Sequence, residues 1–164
     1  MQGRILQVNV SPGGLPKRPV PLGIVTPLGL EGDGHRHPRI HGGARQALLL
    51  LAAEVIEDLH GRGYPVEFGS LGENLTTRGL DPARLRIDQI LRAGGALIQL
   101  TKVRAPCAAL DPLGAGIQRE IYDARVKAGD VTSPRWGWSG FYARVLETGV
   151  ICPGDPISVE ATFA

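Results

Sequence analysis

The 164-residue sequence is poor in cysteine, lysine and aromatic residues, and it has no long apolar run. Its two cysteines are too few for a disulfide framework, so we expect reduced thiols in a cytoplasmic protein. The longest apolar run, ALLLLAAEVI at 47–56, is too short to span a bilayer. The N-terminal MQGRILQVNV has neither the apolar core nor the cleavage site of a targeting peptide. We therefore expect no membrane partner.

A strong excess of one charge is also missing, because the formal net charge is +2. That value is too small to indicate nucleic-acid binding through phosphate contacts. A hydrophobic content of 43% and a charged content of 21% are typical of a globular protein, and the length fits one domain over residues 1–164. The 23 glycines and 13 prolines are scattered along the chain, which predicts many short strands and turns instead of a helical bundle.

Several segments carry strand patterns. RILQVNV at 4–10 ends at the turn SPGG, and GFYARVLETGVI with DPISVEA is typical of a closing pair of strands. ALIQLTKVRA at 96–105 alternates between two faces and leads into Pro106 and Cys107. The cysteine is therefore expected just beyond a strand end, where backbone amides are free.

Two helices are predicted. ALLLLAAEVIEDLHGRG is ambiguous in its first half, because a short apolar run suits a strand or a helix, but from Ala52 the pattern is helical. Residues 116–128 give the clearest helical pattern, which ends at a glycine. The residues expected on the apolar face of this second helix are Ile117, Ile121 and Ala124.

The segment LEGDGHRHPRIHGGARQA holds three of the four histidines. A zinc-type site formed by His35, His37 and His41 is one interpretation, and a solvated loop is another. Pro38 prevents a simple helical pair of histidines, and no HExxH motif is present, which argues against the metal. We favour an anion-binding turn, because HGGAR supplies consecutive backbone N–H groups flanked by an imidazole and a guanidinium. Its residues are His41, Gly42, Gly43 and Arg45.

The segment GENLTT at 72–77 allows two interpretations. In one, Asn74 forms a turn that stabilises its own backbone. In the other, Glu73 and Asn74 offer hydrogen-bond acceptors and donors to the edge of a pterin or purine ring. The residues alone leave both interpretations open.

Cys107 lies in RAPCAAL, close to Lys102 and Arg104. A lone cysteine is commonly a small buried apolar residue. Here the two cations favour a reactive thiolate, because a positive surrounding stabilises the ionised sulfur. We assign no role to Cys152, and we expect Trp136 and Trp138 to pack in the core or at its edge, with a ligand wall as the alternative.

Taken in order, these segments resemble the MOSC domain, the C-terminal domain family of molybdenum-cofactor sulfurases and their stand-alone bacterial relatives. GD at 32–33 with HGG at 41–43 resembles the family's GD…HGG segment, and GENLTTRGL at 72–80 resembles its GENLTTxGL motif. RAPC at 104–107 resembles its RxPC motif, and 140–159 resembles its closing hairpin. Each motif is weak alone, and the four in register are specific.

The resemblance implies a mainly β fold, with a closed β-barrel of the pyruvate-kinase barrel type and about two peripheral α-helices. It also implies a molybdopterin-type molybdenum cofactor, with Cys107 as the catalytic thiolate that ligates the metal. The positions that the resemblance and the local chemistry assign to cofactor binding are His41, Gly42, Gly43, Arg45, Gly72, Glu73, Asn74, Lys102 and Arg104.

Two features depart from the family pattern. The family often has a Gly-Asp turn before the cysteine strand, whereas LRIDQILRAGG keeps Asp88 without the preceding glycine. The segment EGDGHRHPRIHGG is unusually rich in histidine and arginine. The sequence also has no room for the pyridoxal-phosphate domain of the fused sulfurases, so any sulfur would have to come from a partner.

Three functions follow as alternatives. The first is a reductase of N-hydroxylated small molecules that receives electrons from a separate reductase, because nothing here resembles a flavin or nicotinamide motif. The second is a carrier that takes persulfide sulfur onto Cys107 from a cysteine desulfurase and delivers it to a metal cofactor. The third is a non-catalytic module that binds a pterin or nucleotide. We rank them in that order, and a homo-oligomer stays open.

Overall fold

Strand β1 (Gln2–Val10) opens the fold, and its inward side chains do not alternate strictly. The protein is described here by a computed structural model that covers residues 1–34 and 42–160. In it, β1 pairs antiparallel with β6 (Leu75–Arg78), and the register shifts between Ile5 and Gln7. Such a bulge inserts an extra residue and changes which side chains point inward. Ile5 and Val8 are consequently both fully buried although they are three residues apart.

The other strands are short, as the scattered glycines and prolines predict. They are β2 (Arg18–Val20), β3 (Gly23–Thr26), β4 (Gly29–Leu30), β5 (Leu48–Ala52), β7 (Ile90–Ala93), β8 (Ala96–Val103), β9 (Phe141–Glu147), β10 (Gly149–Ile151) and β11 (Pro156–Val159).

Seven of these strands close into a barrel in the order β1-β11-β7-β8-β9-β5-β6, and β6 returns to β1. The β5–β6 pair is parallel and the other neighbours are antiparallel. Strand β2 extends the sheet beside β1, and β10-β3-β4 forms a separate small sheet. The predicted mainly β, closed-barrel fold is thereby confirmed.

Strand β5 explains why its segment was ambiguous in sequence. All five of its residues are buried, because one face fills the barrel and the other lies under the helices. A strand buried on both faces loses the alternation that marks a half-exposed strand. Helix α1 (Ala53–Gly61) follows β5 directly, in agreement with the helical pattern predicted from Ala52.

The predicted helix at 116–128 is wrong in its continuity. The structure has two short helices, α2 (Ile117–Ile121) and α3 (Ala124–Lys127). Tyr122 adopts an extended conformation between them, and the Asp123 carboxylate accepts a hydrogen bond from the Val126 amide at 2.8 Å. This side chain starts a new helix, as aspartate commonly does at an N-cap.

The break changes the apolar face. Ile117 and Ile121 are fully buried as expected, but Ala124 is exposed. Val126 is buried in its place, because a second helix starts with a different rotational phase. The expectation for Ala124 is therefore wrong.

The two tryptophans pack as predicted. Trp136 is 4% exposed, donates its indole N–H to the Leu85 carbonyl at 2.8 Å and meets Phe141 edge-on. Trp138 is partly buried against the helical cluster, and the Arg135 guanidinium lies 4.5 Å from its ring centroid. Among the helices of the described segments, none has both the length and the apolar character needed to cross a membrane.

Gly140, the residue just before β9, gives a test of close packing in the barrel. Its φ is +92°, and a Cβ there would lie 2.6 Å from the Leu50 carbonyl oxygen. We expect Gly140→Ala to lower the free energy of unfolding by about 1–2 kcal/mol through left-handed strain and by a further 1–3 kcal/mol or so through overpacking. Gly154 has a φ of +95° and nothing within 4 Å of its Cβ position, so Gly154→Ala should show the strain alone. Equal losses in urea unfolding would contradict this assignment.

Candidate functional site

Cys107 lies just past the end of β8, where the sequence predicted it. Its backbone begins a 3-10 helix over Ala108–Leu113, and its carbonyl accepts a hydrogen bond from the Leu110 amide at 3.1 Å. Cys107 is a free cysteine, and the residue is partly exposed. It is therefore neither sealed in the core nor held in a disulfide, and it can meet a reactant from solvent.

Tyr142 and Lys102 lie beside the strand end that leads to Cys107. The two residues are partners across β8 and β9, and the Lys102 ammonium lies 5.4 Å from the centroid of the Tyr142 ring. Burial raises the pKa of the Tyr142 phenol, Cys107 raises it further, and the Arg104 charge partly opposes this. The phenol therefore keeps its proton at neutral pH. Sequence reasoning missed Tyr142, because only the pairing of β8 with β9 places it opposite Lys102.

Arg104 is buried, with 5% of its surface exposed. Its guanidinium donates to the carbonyls of Ser139 at 3.0 Å and Leu71 at 2.7 Å. Burial lowers the pKa of Arg104, whereas Tyr142, Glu73 and Cys107 act to raise it. Its described contacts are with the protein itself, and direct contact with a cofactor stays a prediction.

The predicted anion-binding turn is described in part. Gly42 and Gly43 have φ values of 95° and 86°, and Gly43 leads into a 3-10 helix over Ala44–Gln46. The carbonyl of the exposed Arg45 accepts a hydrogen bond from the Thr101 hydroxyl at 2.6 Å. This bond holds the turn beside β8, the strand that carries Lys102. His35, His37 and His41 lie outside the described residues.

Asn74 in GENLTT connects three segments. Its side-chain oxygen accepts from the Leu49 amide at 3.0 Å, and its Nδ2 donates to Asp33 at 2.8 Å and to the Asn9 carbonyl at 3.2 Å. With 3% of its surface exposed, Asn74 stabilises the turn and its surroundings. These bonds support the turn interpretation of the motif. Ligand contact by Gly72 and Asn74 stays a prediction.

Glu73 is fully buried beside Asn74. Its Oε1 accepts from the Gly69 amide at 2.5 Å and from the Thr76 hydroxyl at 3.1 Å. Its Oε2 has no hydrogen-bond partner within the described part of the chain. Burial raises the pKa of Glu73 above its ordinary value, while these hydrogen bonds and the Arg104 charge oppose the rise. The geometry favours a neutral carboxylic acid, because an ionised carboxylate with one bare oxygen is costly to bury.

A buried ion pair was missed by the sequence reasoning. Lys17 and Asp33 approach to 2.5 Å, with side chains 9% and 3% exposed. Asp33 also accepts from the Ser11 amide at 2.9 Å, so one carboxylate joins the end of β1, the turn before β2 and Asn74. The available signal was a lysine inside the apolar turn GGLPK, followed by the Asp33 of the recognised motif. Across residues 1–34 and 42–160, no group of three or more His, Cys, Asp or Glu could hold a metal ion.

The chain is similar to known proteins. A model of the MOSC domain family matches residues 37–158. YflK of Bacillus subtilis (strain 168) is 30% identical over 145 residues, which cover 86% of this chain and 60% of that protein. A protein of Gibberella moniliformis (strain M3125 / FGSC 7600) named as a reductase is 29% identical over 136 residues, which cover 80% of this chain and 22% of that protein.

A solved structure is also similar. The crystal structure of YiiM from Geobacillus stearothermophilus has a TM-score of 0.70 and 28% sequence identity, and the match covers 97% of this chain and 75% of that one. The match to YflK spans 60% of that protein's length, and the match to the fungal protein spans much less. The activities of those whole proteins therefore reach this chain only as proposals.

Glu73 predicts a specific pH dependence of stability. Because its pKa is raised in the folded protein, the stabilising effect of the neutral acid is complete at low pH and is lost as the pH rises through the folded pKa. We expect Glu73→Gln to raise the melting temperature relative to wild type at pH 8, with the difference shrinking at pH 4. Glu54 also accepts a backbone N–H, from Gly79, but is exposed, so Glu54→Gln should show no such pH-dependent difference in melting temperature. A constant offset for Glu73→Gln across this pH range would rule out the neutral acid.

The Lys17–Asp33 pair predicts a strong coupling. We expect Lys17→Met to lower the free energy of unfolding by about 3–5 kcal/mol, because it leaves a buried carboxylate without its cation. Adding Asp33→Asn should recover part of the loss, with a coupling of about 1–3 kcal/mol in a double-mutant cycle. Lys127 is exposed, and Lys127→Met serves as the control. Additive losses in chemical denaturation would show that the pair does not act as a unit.

Proposed function

Since the chain belongs to the MOSC domain family, we propose that it binds a molybdenum cofactor through Cys107 and reduces N-hydroxylated small molecules. The observation that carries the proposal is that Cys107 is a free, partly exposed residue just past the end of β8. The MOSC family is associated with the molybdenum cofactor, and the similar Gibberella moniliformis protein is named as a reductase. The chain also fits this chemistry at the level of single residues.

The donor set suits the cofactor. A cysteine thiolate is a soft ligand of the kind that binds molybdenum alongside the sulfurs of a pterin. Lys102 and Arg45 are exposed cations held beside β8, where they can bind an anionic phosphate group. When bound, the molybdenum centre would supply two-electron redox chemistry that side chains lack.

The protons of the reaction can be supplied by residues of this chain. Reduction of an N-hydroxylated amine breaks its N–O bond, consumes two electrons and two protons, and releases the amine and water. The electrons come from a separate reductase in this proposal. Tyr142 lies opposite Lys102 on β9, and burial raises the pKa of its phenol, so the neutral phenol can hold a proton for the departing hydroxyl group.

A sulfur carrier is the second candidate, and the same exposed thiol supports it. A desulfurase persulfide would transfer its outer sulfur to Cys107, which leaves the donor as a thiol and Cys107 as a persulfide. That chemistry needs an accessible cysteine and no metal. Only the content of the isolated protein separates the two candidates.

The test is the molybdenum and sulfur content of protein purified from a host that makes the cofactor. We expect near-stoichiometric molybdenum by mass spectrometry in the wild type and a loss of at least tenfold in Cys107→Ser. Cys152 is the matched control, because it is also free and partly exposed, and Cys152→Ser should keep the metal.

Two other results would contradict this proposal. Cyanide-releasable sulfur without molybdenum would favour the carrier. A Cys107→Ser protein that keeps both cofactor and full activity would remove both cysteine mechanisms and favour a binding module.

A further inference from the structure

Arg104 and Ser139 form a reciprocal pair just before the Cys107 segment. The Arg104 Nε donates to the Ser139 carbonyl at 3.0 Å, and the Ser139 hydroxyl donates to the Arg104 carbonyl at 2.6 Å. The Arg104 amide also donates to the Gly140 carbonyl at 2.8 Å. The two backbones are therefore joined in both directions at one point, beyond the last paired residues of β8 and β9.

The same guanidinium reaches a third segment. Its Nη2 donates to the Leu71 carbonyl at 2.7 Å. Leu71 lies between Gly69, whose amide binds the Glu73 carboxyl, and Glu73 itself. Arginine suits this arrangement because its planar fork presents several N–H donors in fixed directions. One side chain thus connects the glutamate loop, the Ser139 turn and the base of the cysteine segment.

Burial separates this role from ligand binding. Ser139 is fully buried and Arg104 is 5% exposed. A buried charge needs hydrogen-bond partners in its surroundings, and the carbonyls of Ser139 and Leu71 provide them. Lys102 and Arg45, by contrast, are exposed.

Arg104 and Cys107 are close along the chain, so a fixed Arg104 also restricts the position of Cys107. Three residues span at most about 10–11 Å, so fixing Arg104 limits where Cys107 can lie. Pro106 restricts the backbone just before the cysteine, because its ring fixes φ. On the other side, the hydrogen bond from Leu110 to the Cys107 carbonyl holds the cysteine at the start of its 3-10 helix.

We propose that Arg104 and Ser139 are positioning residues that set the direction in which Cys107 presents its thiol, and that Arg104 does so without touching the cofactor. This inference rests on the proposed function only in one respect, which is that the Cys107 thiol is the reactive group. It assigns a role to Ser139 and changes the role of Arg104 from a cofactor contact to a support.

Ser139→Ala tests the proposal, with Ser133→Ala as the matched control. Ser133 is also buried, at 3% exposure. Its hydroxyl donates to Asp123 at 2.8 Å and accepts from the Arg135 amide at 3.1 Å, so each variant removes a hydrogen-bonded hydroxyl from a buried serine. Each should lower the melting temperature by roughly 2–4 °C. The measurement that separates them is the ratio of Cys107 modification rates with a bulky anionic disulfide reagent and with iodoacetamide, in a Cys152→Ser background.

We expect this ratio to change at least threefold in Ser139→Ala and to stay at the wild-type value in Ser133→Ala. The ratio reports how the thiol is presented, which a loss of stability far from the cysteine does not alter. If Ser139→Ala gave the same ratio as Ser133→Ala, the positioning role would be overturned.

Arg104→Lys separates positioning from charge. The lysine keeps a positive charge but lacks the fork that reaches two carbonyls in different directions. A positioning role predicts that Arg104→Lys changes the reagent ratio as Ser139→Ala does, whereas a purely electrostatic role predicts the wild-type ratio. Should the arginine variant fail to fold, the serine pair still decides the question.

The reagent ratio is measured on protein made in a host that lacks the cofactor, because a molybdenum-bound Cys107 would not react. The two proposals therefore fail separately. If the wild type from a cofactor-producing host held no molybdenum while Ser139→Ala changed the reagent ratio, the proposed reductase would be refuted and the positioning role would stand. Full molybdenum content with an unresponsive ratio would do the reverse.

Discussion

The bonds of Asn74 are the interaction on which the described architecture depends most. Its backbone N–H donates to the Leu49 carbonyl in β5, and its side-chain oxygen accepts from the Leu49 amide. Its backbone carbonyl accepts from the Asn9 amide in β1, so Asn74 joins β5 to β1. Its side chain also holds Asp33. Asn74 is buried, so a polar group that lost its partner there could not bind water instead. Such an unsatisfied donor or acceptor would destabilise the folded protein. The barrel seam and the neighbouring turns are therefore fixed by the same amide.

Other buried polar groups extend this principle. Glu73, Arg104 and the Lys17–Asp33 pair are polar groups in the interior. The Glu73 carboxyl binds within its own loop, whereas Arg104 and the Lys17–Asp33 pair join segments that are distant along the chain. Buried polar networks of this kind favour one arrangement over others, since alternative packings leave donors or acceptors unsatisfied. The reactive candidates differ in placement: Cys107, Lys102 and Arg45 keep some exposure. A rigid buried frame with a solvent-reachable rim is what the proposed chemistry requires.

Much of the fold was predictable from local patterns. The strands at 4–10 and 96–105 agree with β1 and β8, and the helix from Ala52 agrees with α1, because alternation, helical periodicity and glycine placement are local properties. The helix predicted over 116–128 failed at Tyr122 and Asp123, where an aspartate cap competes with helical propensity. The double burial of β5 was invisible in sequence, since it needs a barrel on one side and helices on the other.

The candidate site divides in the same way. The sequence by itself determined which motifs are present, that Cys107 follows a strand, and that the chain resembles the MOSC family. Only the tertiary structure showed that Glu73 is buried with one carboxyl oxygen that has no hydrogen-bond partner in the described residues, and that Lys17 pairs with Asp33. It also showed that the Arg104 guanidinium donates to the carbonyls of Ser139 and Leu71. The physical reason is distance along the chain. The paired residues among these are 16 to 35 residues apart. Burial decides whether a charge binds a ligand or supports the fold, and it exists only once such segments meet.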